Sequence, residues 1–232
     1  MSETYRVVQA YDRAFVREVA ADTAETLETK LETAARTLRA RDAWLKPHQR
    51  SAILQRAAAL LDQRREAFAK LIAQEGGKPL ADALVEAIRA VDGLRDAAEE
   101  LRNFAGREIP MGLTPASDGR WAFTTKEPIG VVAAISAFNH PLNLIIHQVA
   151  PAIAAGCPVI VKPAAPTPLC CLELVALLYE AGLPEGWCQT LITEDNALAE
   201  RLATDPRVAF LSFIGSARVR SEERRVGKEC SS

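Results

Sequence analysis

Only three histidines occur in this chain, His48, His140 and His147, and none stands in an HExxH or clustered ligand pattern, so no metal centre is expected. The five cysteines, Cys157, Cys170, Cys171, Cys188 and Cys230, show no CxxC spacing. Adjacent Cys170 and Cys171 would point to different faces of a helix, which argues against a disulfide scaffold and for a reduced, cytoplasmic protein. Long apolar runs are missing too: the most apolar stretch, Val149 to Val161, is 13 residues interrupted by Pro151 and Pro158. That is too short to span a bilayer, and the opening MSETYRVVQA has neither an apolar leader core nor a small-residue cleavage site. No single sign of charge dominates, since the formal net charge is −2 and the pI about 6.0. A global basic field for nucleic acid or acidic lipid is therefore excluded, and small soluble partners fit better. Neither an internal repeat nor a low-complexity segment is present.

What is present is enough apolar material for a real core, 49% of 232 residues. Tyr5 to Val8 and Ala14 to Val19 read as a hairpin joined across Tyr11 to Arg13. From Thr23 the pattern turns helical, with Leu27, Leu31, Ala34 and Leu38 on one face, then Ile53, Ala57, Leu60 and Leu61 after Pro47, a residue suited to a first helical turn. A longer helix is expected from about Ala81 to Phe104, its core stripe formed by Leu84, Ile88, Val91, Leu94, Ala98 and Leu101. Glu86, Arg89, Asp96, Glu100 and Arg102 form its solvated face. Gly76-Gly77-Lys78-Pro79 lacks the spacing of a phosphate loop and reads as a helix-terminating turn.

Beyond Pro128 the chain alternates strand and helix: 131–135, 141–155, 158–161, 168–181, 188–192, 195–203 and 208–213. That order implies an α/β fold with a parallel sheet covered on both faces. Val131 to Ile135 is a β-branched, fully apolar run bounded by Gly130 and by Ser136 to Pro141, and Val159 to Val161 repeats the pattern before Lys162 and Pro163. Open parallel sheets bind ligands beyond the carboxyl ends of their strands, which is where Asn139 and Lys162 fall.

Five segments carry a resemblance in order and spacing: Phe138-Asn139-His140-Pro141, APAIAAGCPVIVKPA from Ala150 to Ala164, TPL at 167–169, EAGLPEG from Glu180 to Gly186, and Phe213-Ile214-Gly215-Ser216. Together they resemble the aldehyde dehydrogenase superfamily over residues 1 to about 219, roughly the first half of such an enzyme. The resemblance implies a Rossmann-like parallel sheet with flanking helices, preceded by N-terminal helices (1–106) and a β-arm at 107–126 that reaches a neighbouring subunit. Residues 127–219 would form the dinucleotide-binding part, and the parent enzyme a homo-oligomer. The implied activity is oxidation of a small-molecule aldehyde to a carboxylic acid with NAD or NADP as acceptor.

By the same resemblance, Asn139 stabilises the oxyanion formed when a downstream cysteine attacks the aldehyde, and a glutamate-activated water releases the acid. The cofactor cradle comprises Ile135, Ser136, Ala137, Phe138 and Asn139, then Lys162, Pro163, Ala164 and Ala165, then Gly215 and Ser216 at a pyrophosphate-binding turn. Read without the family, Asn139 is a turn asparagine bonded to its own backbone in preference to a donor site, and Lys162 is equally an exposed lysine. Ala165 stands where many members carry glutamate toward the adenosine ribose; with alanine the repulsion of a 2′-phosphate is gone, so NADP is tolerated or preferred. Thr193 to Asn196 also departs from the glycine-bearing loop common in the family. The phrase AFNHPLN hints at a branch acting on small polar aldehydes such as lactaldehyde or phosphonoacetaldehyde.

The catalytic cysteine and glutamate lie in the half beyond this sequence, so the 232 residues by themselves are expected to be inactive and poorly soluble. Residues 220–230, RSEERRVGKEC, match the translation of a common short-read sequencing adapter, and Arg220 replaces a family glycine; the tail from Arg220 to Ser232 reads as an assembly scar. The alternative for such a charge run is a solvated C-terminal tail. Two other functional classes stay open: a non-catalytic nucleotide-binding or interaction module, and part of an acylating, coenzyme A-dependent member.

Overall fold

The computed structural model describes residues 4–215. Ser216 and the adapter-like stretch from Arg220 lie outside these described residues. The chain opens with an antiparallel hairpin, β1 (Thr4–Val8) and β2 (Phe15–Ala20). Four helices follow: α1 (Ala24–Arg39), α2 (Pro47–Gln63), α3 (Arg65–Gly76) and α4 (Leu80–Glu100). Thr23 caps α1 in a reciprocal pair with Thr26, and Pro47 occupies the opening turn of α2, where its missing N–H costs nothing. Gly77 closes α3 at φ 67°, a left-handed conformation open to glycine at no steric cost.

The helix expected over 81–104 ends earlier, at Glu100, and passes into a short 3₁₀ turn at Leu101–Asn103. Its buried face also differs from the expected stripe. Ala83, Ala87, Ala90, Val91, Leu94 and Ala98 face the core, whereas Ile88 is 43% exposed. The reason is crowding: α4 packs against α2, α3 and α5 at once. A Cβ at Gly93 would stand 2.9 Å from Ile146 Cγ2 of α5, so small residues are what the contact admits.

A two-stranded ribbon, β3 (Glu108–Ile109) with β4 (Ala122–Phe123), then projects Trp121 and Phe123 outward, 86% and 75% exposed. The α/β part comprises β5 (Val131–Ile135), α5 (Asn143–Ala155), β6 (Val159–Lys162), α6 (Leu169–Glu180), β7 (Cys188–Thr190), α7 (Asn196–Thr204) and β8 (Val208–Phe213). Its four strands are all parallel, in the order β7-β6-β5-β8.

Alternate residues of these strands feed two cores. Val132, Ala134, Val159 and Val161 pack with α2 to α6 on one face, and Val131, Ala133 and Ile160 with α1 and α7 on the other, joined there by Leu191 just past β7. Burial on both faces explains why the strands read as continuous apolar runs rather than alternating ones. The N-terminal helices thus share their core with the sheet.

Candidate functional site

The strand order places a reversal between β5 and β8. Helices α5 and α6 carry the chain from β5 to β6 to β7 in one direction, and α7 then returns it to the far side of β5. Beyond the carboxyl ends of such strands the connecting loops diverge and leave a crevice. Register fixes what opens onto it: Ile135 lies beside Lys162 on one side and Phe213 on the other. The three exits are tied together at their roots, Ser136 N–H donating to Lys162 O at 3.0 Å and Ile214 N–H to Ile135 O at 2.9 Å.

Gln148 of α5 spans the reversal. Its Nε2 donates to Ile135 O at 3.0 Å and Ser212 O at 2.8 Å, tying carbonyls of both strands to α5. Ile135, Ser136, Ala137, Phe138, Asn139, Lys162, Pro163, Ala164, Ala165 and Gly215 all sit on or just past this one edge. Ser216 falls outside the described residues. At Gly215 a Cβ would lie 2.5 Å from the far end of the Phe213 ring, so a larger residue there would have to displace that ring.

Asn139 is exposed, and its carboxamide has no hydrogen-bond partner among the described residues, so its donors are not spent on its own turn. Lys162 is partly buried, and its Nζ makes one long contact, 3.3 Å to Pro163 O. Burial pushes its ammonium below the usual lysine value, while the Glu194 carboxylate pulls the other way. Ser136 Oγ is buried beneath the turn with no partner among the described residues.

Two carboxylates complete the edge, and sequence reasoning missed both roles. Glu86, expected on a solvated face, is 2% exposed. Its Oε1 accepts from Leu142 N–H at 3.0 Å and Asn143 N–H at 3.1 Å, capping α5; its Oε2 meets Lys78 Nζ and, at 3.3 Å, His140 Nδ1. Glu75, also 2% exposed, caps α6 through Leu169 N–H at 2.8 Å and Cys170 N–H at 2.9 Å. Burial raises its carboxyl pKa, and the hydrogen bonds at Cys170 and Leu169 offset this in part. A signal for Glu86 was present: it lies three residues after Ala83 and four before Ala90, on the small-residue side of the helix.

The loop after β7 completes the rim. Ile192 N–H donates to Asp22 Oδ2 and Asp22 N–H to Ile192 O, both at 2.7 Å. Thr193 Oγ1 accepts from Asp195 N–H at 2.9 Å, and Asp195 Oδ1 caps α7 at Ala197 N–H, 2.8 Å. A tight capped turn thus occupies Thr193 to Asn196, the stretch read from the sequence as a departure from the family's glycine-bearing loop.

Comparison with known proteins agrees with this architecture. The 3-sulfolactaldehyde dehydrogenase of Priestia aryabhattai is 43% identical over 173 residues, 75% of this chain and 36% of the relative. Aldehyde dehydrogenase 21 of Physcomitrella patens, solved with its reaction product succinate, superposes with a TM-score of 0.91 at 32% identity, over 97% of this chain and 46% of that one. The NADP-dependent glyceraldehyde-3-phosphate dehydrogenase of Bacillus halodurans, solved with NADP, gives 0.90 at 27% identity, over 96% and 47%. This chain therefore spans less than half the length of each of these proteins. Residues 1–230 match the aldehyde dehydrogenase family model, and the chain belongs to that family.

Proposed function

We propose that these residues form the cofactor-binding half of an NAD(P)-dependent oxidoreductase that converts an aldehyde to a carboxylic acid. The observation that carries this reading is the position of an unbonded carboxamide, Asn139, and an ammonium group, Lys162, past the carboxyl ends of neighbouring parallel strands, where the one contact of the ammonium among the described residues is to Pro163 O. The donor set fits a dinucleotide. Lys162 would reach ribose hydroxyls or phosphate, and the orphaned Ser136 hydroxyl lies under the same turn.

The pyrophosphate has fewer options than in a simple nucleotide-binding sheet. Helix N-termini attract anions, but those of α5 and α6 are already filled by the carboxylates of Glu86 and Glu75, which would repel a phosphate. The turn at Gly215 after β8 is left for it. The dinucleotide would supply the hydride acceptor. This chain's own contribution would be to hold it and to offer the Asn139 N–H donors to the oxygen on which negative charge develops.

The aldehyde is a small polar one, the class to which the sulfolactaldehyde substrate named for the relative belongs. Cys157, Cys170, Cys171 and Cys188 are buried free thiols, which suits a reducing cytoplasm. No helix among the described residues is long and apolar enough to cross a membrane. The ribbon of β3 and β4, with Trp121 and Phe123 exposed, is the arm that would join subunits of a homo-oligomer.

The test is kinetic. In a chain of full family length, Asn139→Ala should lower kcat about 10²–10³-fold while NAD(P) binding is kept. The 232-residue chain alone should produce no NAD(P)H from 3-sulfolactaldehyde above a heat-killed control. Unchanged kcat in the variant, or turnover by the short chain, would refute the assignment.

A further inference from the structure

One helix of the α/β part is held differently from its neighbours. α7 has a single buried residue, Leu202, whereas α5 buries eight and α6 seven, so apolar packing anchors it least. Leu202 meets Leu27 and Leu31 of α1 in the smaller of the two cores. Around that contact the joint between α1 and α7 is ionic. Glu28 of α1 is the hub: its Oε2 accepts from Arg201 Nη2 at 2.5 Å, and its two oxygens take the Arg207 guanidinium together, Oε1 from Nη1 at 2.6 Å and Oε2 from Nη2 at 3.0 Å. Asp205, which follows α7, accepts from Arg207 Nε and Nη2, both at 2.8 Å. The signs are segregated across the joint, α1 bringing the carboxylates of Glu28 and of Glu32, 3.9 Å from Arg207, and α7 with its exit bringing the arginines.

A lone exposed ion pair is worth little, but a bidentate arginine shared within a network is the exception, and dissolved salt screens it. A helix of nine residues is too short to persist alone in water. Docking on α1 therefore decides whether α7 forms. We propose that Glu28, Arg201 and Arg207 make an ionic latch that keeps α7 on α1 at low ionic strength and releases it, with loss of its helix, at high ionic strength, while the sheet stays folded. Anchors that carry no such dependence bound the released segment on both sides. Before it, Ile192 is tied to Asp22; after it, β8 is held by its ladder with β5 and by Gln148 Nε2 on Ser212 O and Oγ. Between these anchors lies the rim turn at Thr193 to Asp195, joined to α7 by the Asp195 cap, so opening the latch loosens one rim of the strand-end crevice. The latch does not depend on what the crevice binds.

Amide hydrogen exchange of the 232-residue chain, read by mass spectrometry at one fixed pH, tests the latch. The two conditions are about 0.01 M and about 1 M sodium chloride, where charges are screened over about 30 Å and about 3 Å. Peptides covering α7 should exchange about tenfold faster at the higher salt, because several contacts of the cluster weaken together. Those of α2, α4 and α5 should change by less than about twofold, since their opening is governed by apolar packing. Glu28→Gln, an exposed substitution whose folding circular dichroism would verify, should give fast exchange at α7 in both salts. Equal protection of α7 at the two salt concentrations, acceleration spread evenly over all the helices, or a salt response that survives Glu28→Gln would overturn the proposal.

Discussion

A carboxylate costs most where water is absent, and Glu75 shows the consequence at the scale of one residue. Its burial raises its pKa above the ordinary 4.5, so between that value and the raised one the folded chain holds a proton that the unfolded chain has released. The folded state then binds more protons, and stability falls as pH rises through this window; below it the contribution vanishes. Glu75→Gln removes the ionisation and keeps one of the two side-chain oxygens that accept from Leu169 and Cys170. In urea melts from pH 4 to 8, the stability of the variant relative to wild type should therefore climb with pH, and a flat difference would contradict the assignment. The places of Asn139 and Lys162 at strand exits were readable in the sequence because each follows an unmistakable apolar strand. Glu75 and Glu86 were not, because a helix's own period shows which side a residue occupies but not what stands against that side.

At the scale of elements, the α5 segment depends on a residue 56 positions away, the separation of Glu86 from Leu142. Glu86→Ala would strip two N–H groups of their acceptor and leave Lys78 and His140 without their shared partner. Removing one member of a buried ionic cluster typically costs about 3–5 kcal/mol. A drop of that size in urea unfolding is expected, with faster amide exchange at Leu142 and Asn143; exchange unchanged at those two amides would show that the cap does not hold the turn. Beyond Pro128 element existence was legible, the strands at 131–135 and 208–213 standing where the apolar runs put them, whereas α3 carried no pattern of its own that set it apart. The face of α4 was not legible, since a helix gripped by three others buries its alanines and turns Ile88 outward.

For the whole molecule the decisive feature is that β8 ends the sheet among the described residues. Phe210, on the same face as Val132, is 51% exposed. Unpaired N–H and C=O groups beside an exposed aromatic are a template for association between chains. Light scattering of the purified chain should rise with concentration, and Phe210→Lys should reduce it several-fold at equal protein. Equal scattering from both would show that this edge is not responsible. The sequence by itself determined the alternation of buried strands and helices, the parallel sheet and the polar residues at strand exits, because these depend on patterns that neighbouring residues carry together. Only the tertiary structure decided which carboxylates are buried as helix caps and where the strand order reverses. Those outcomes arise from segments far apart in the chain meeting in one place, and no local pattern records a meeting of that kind.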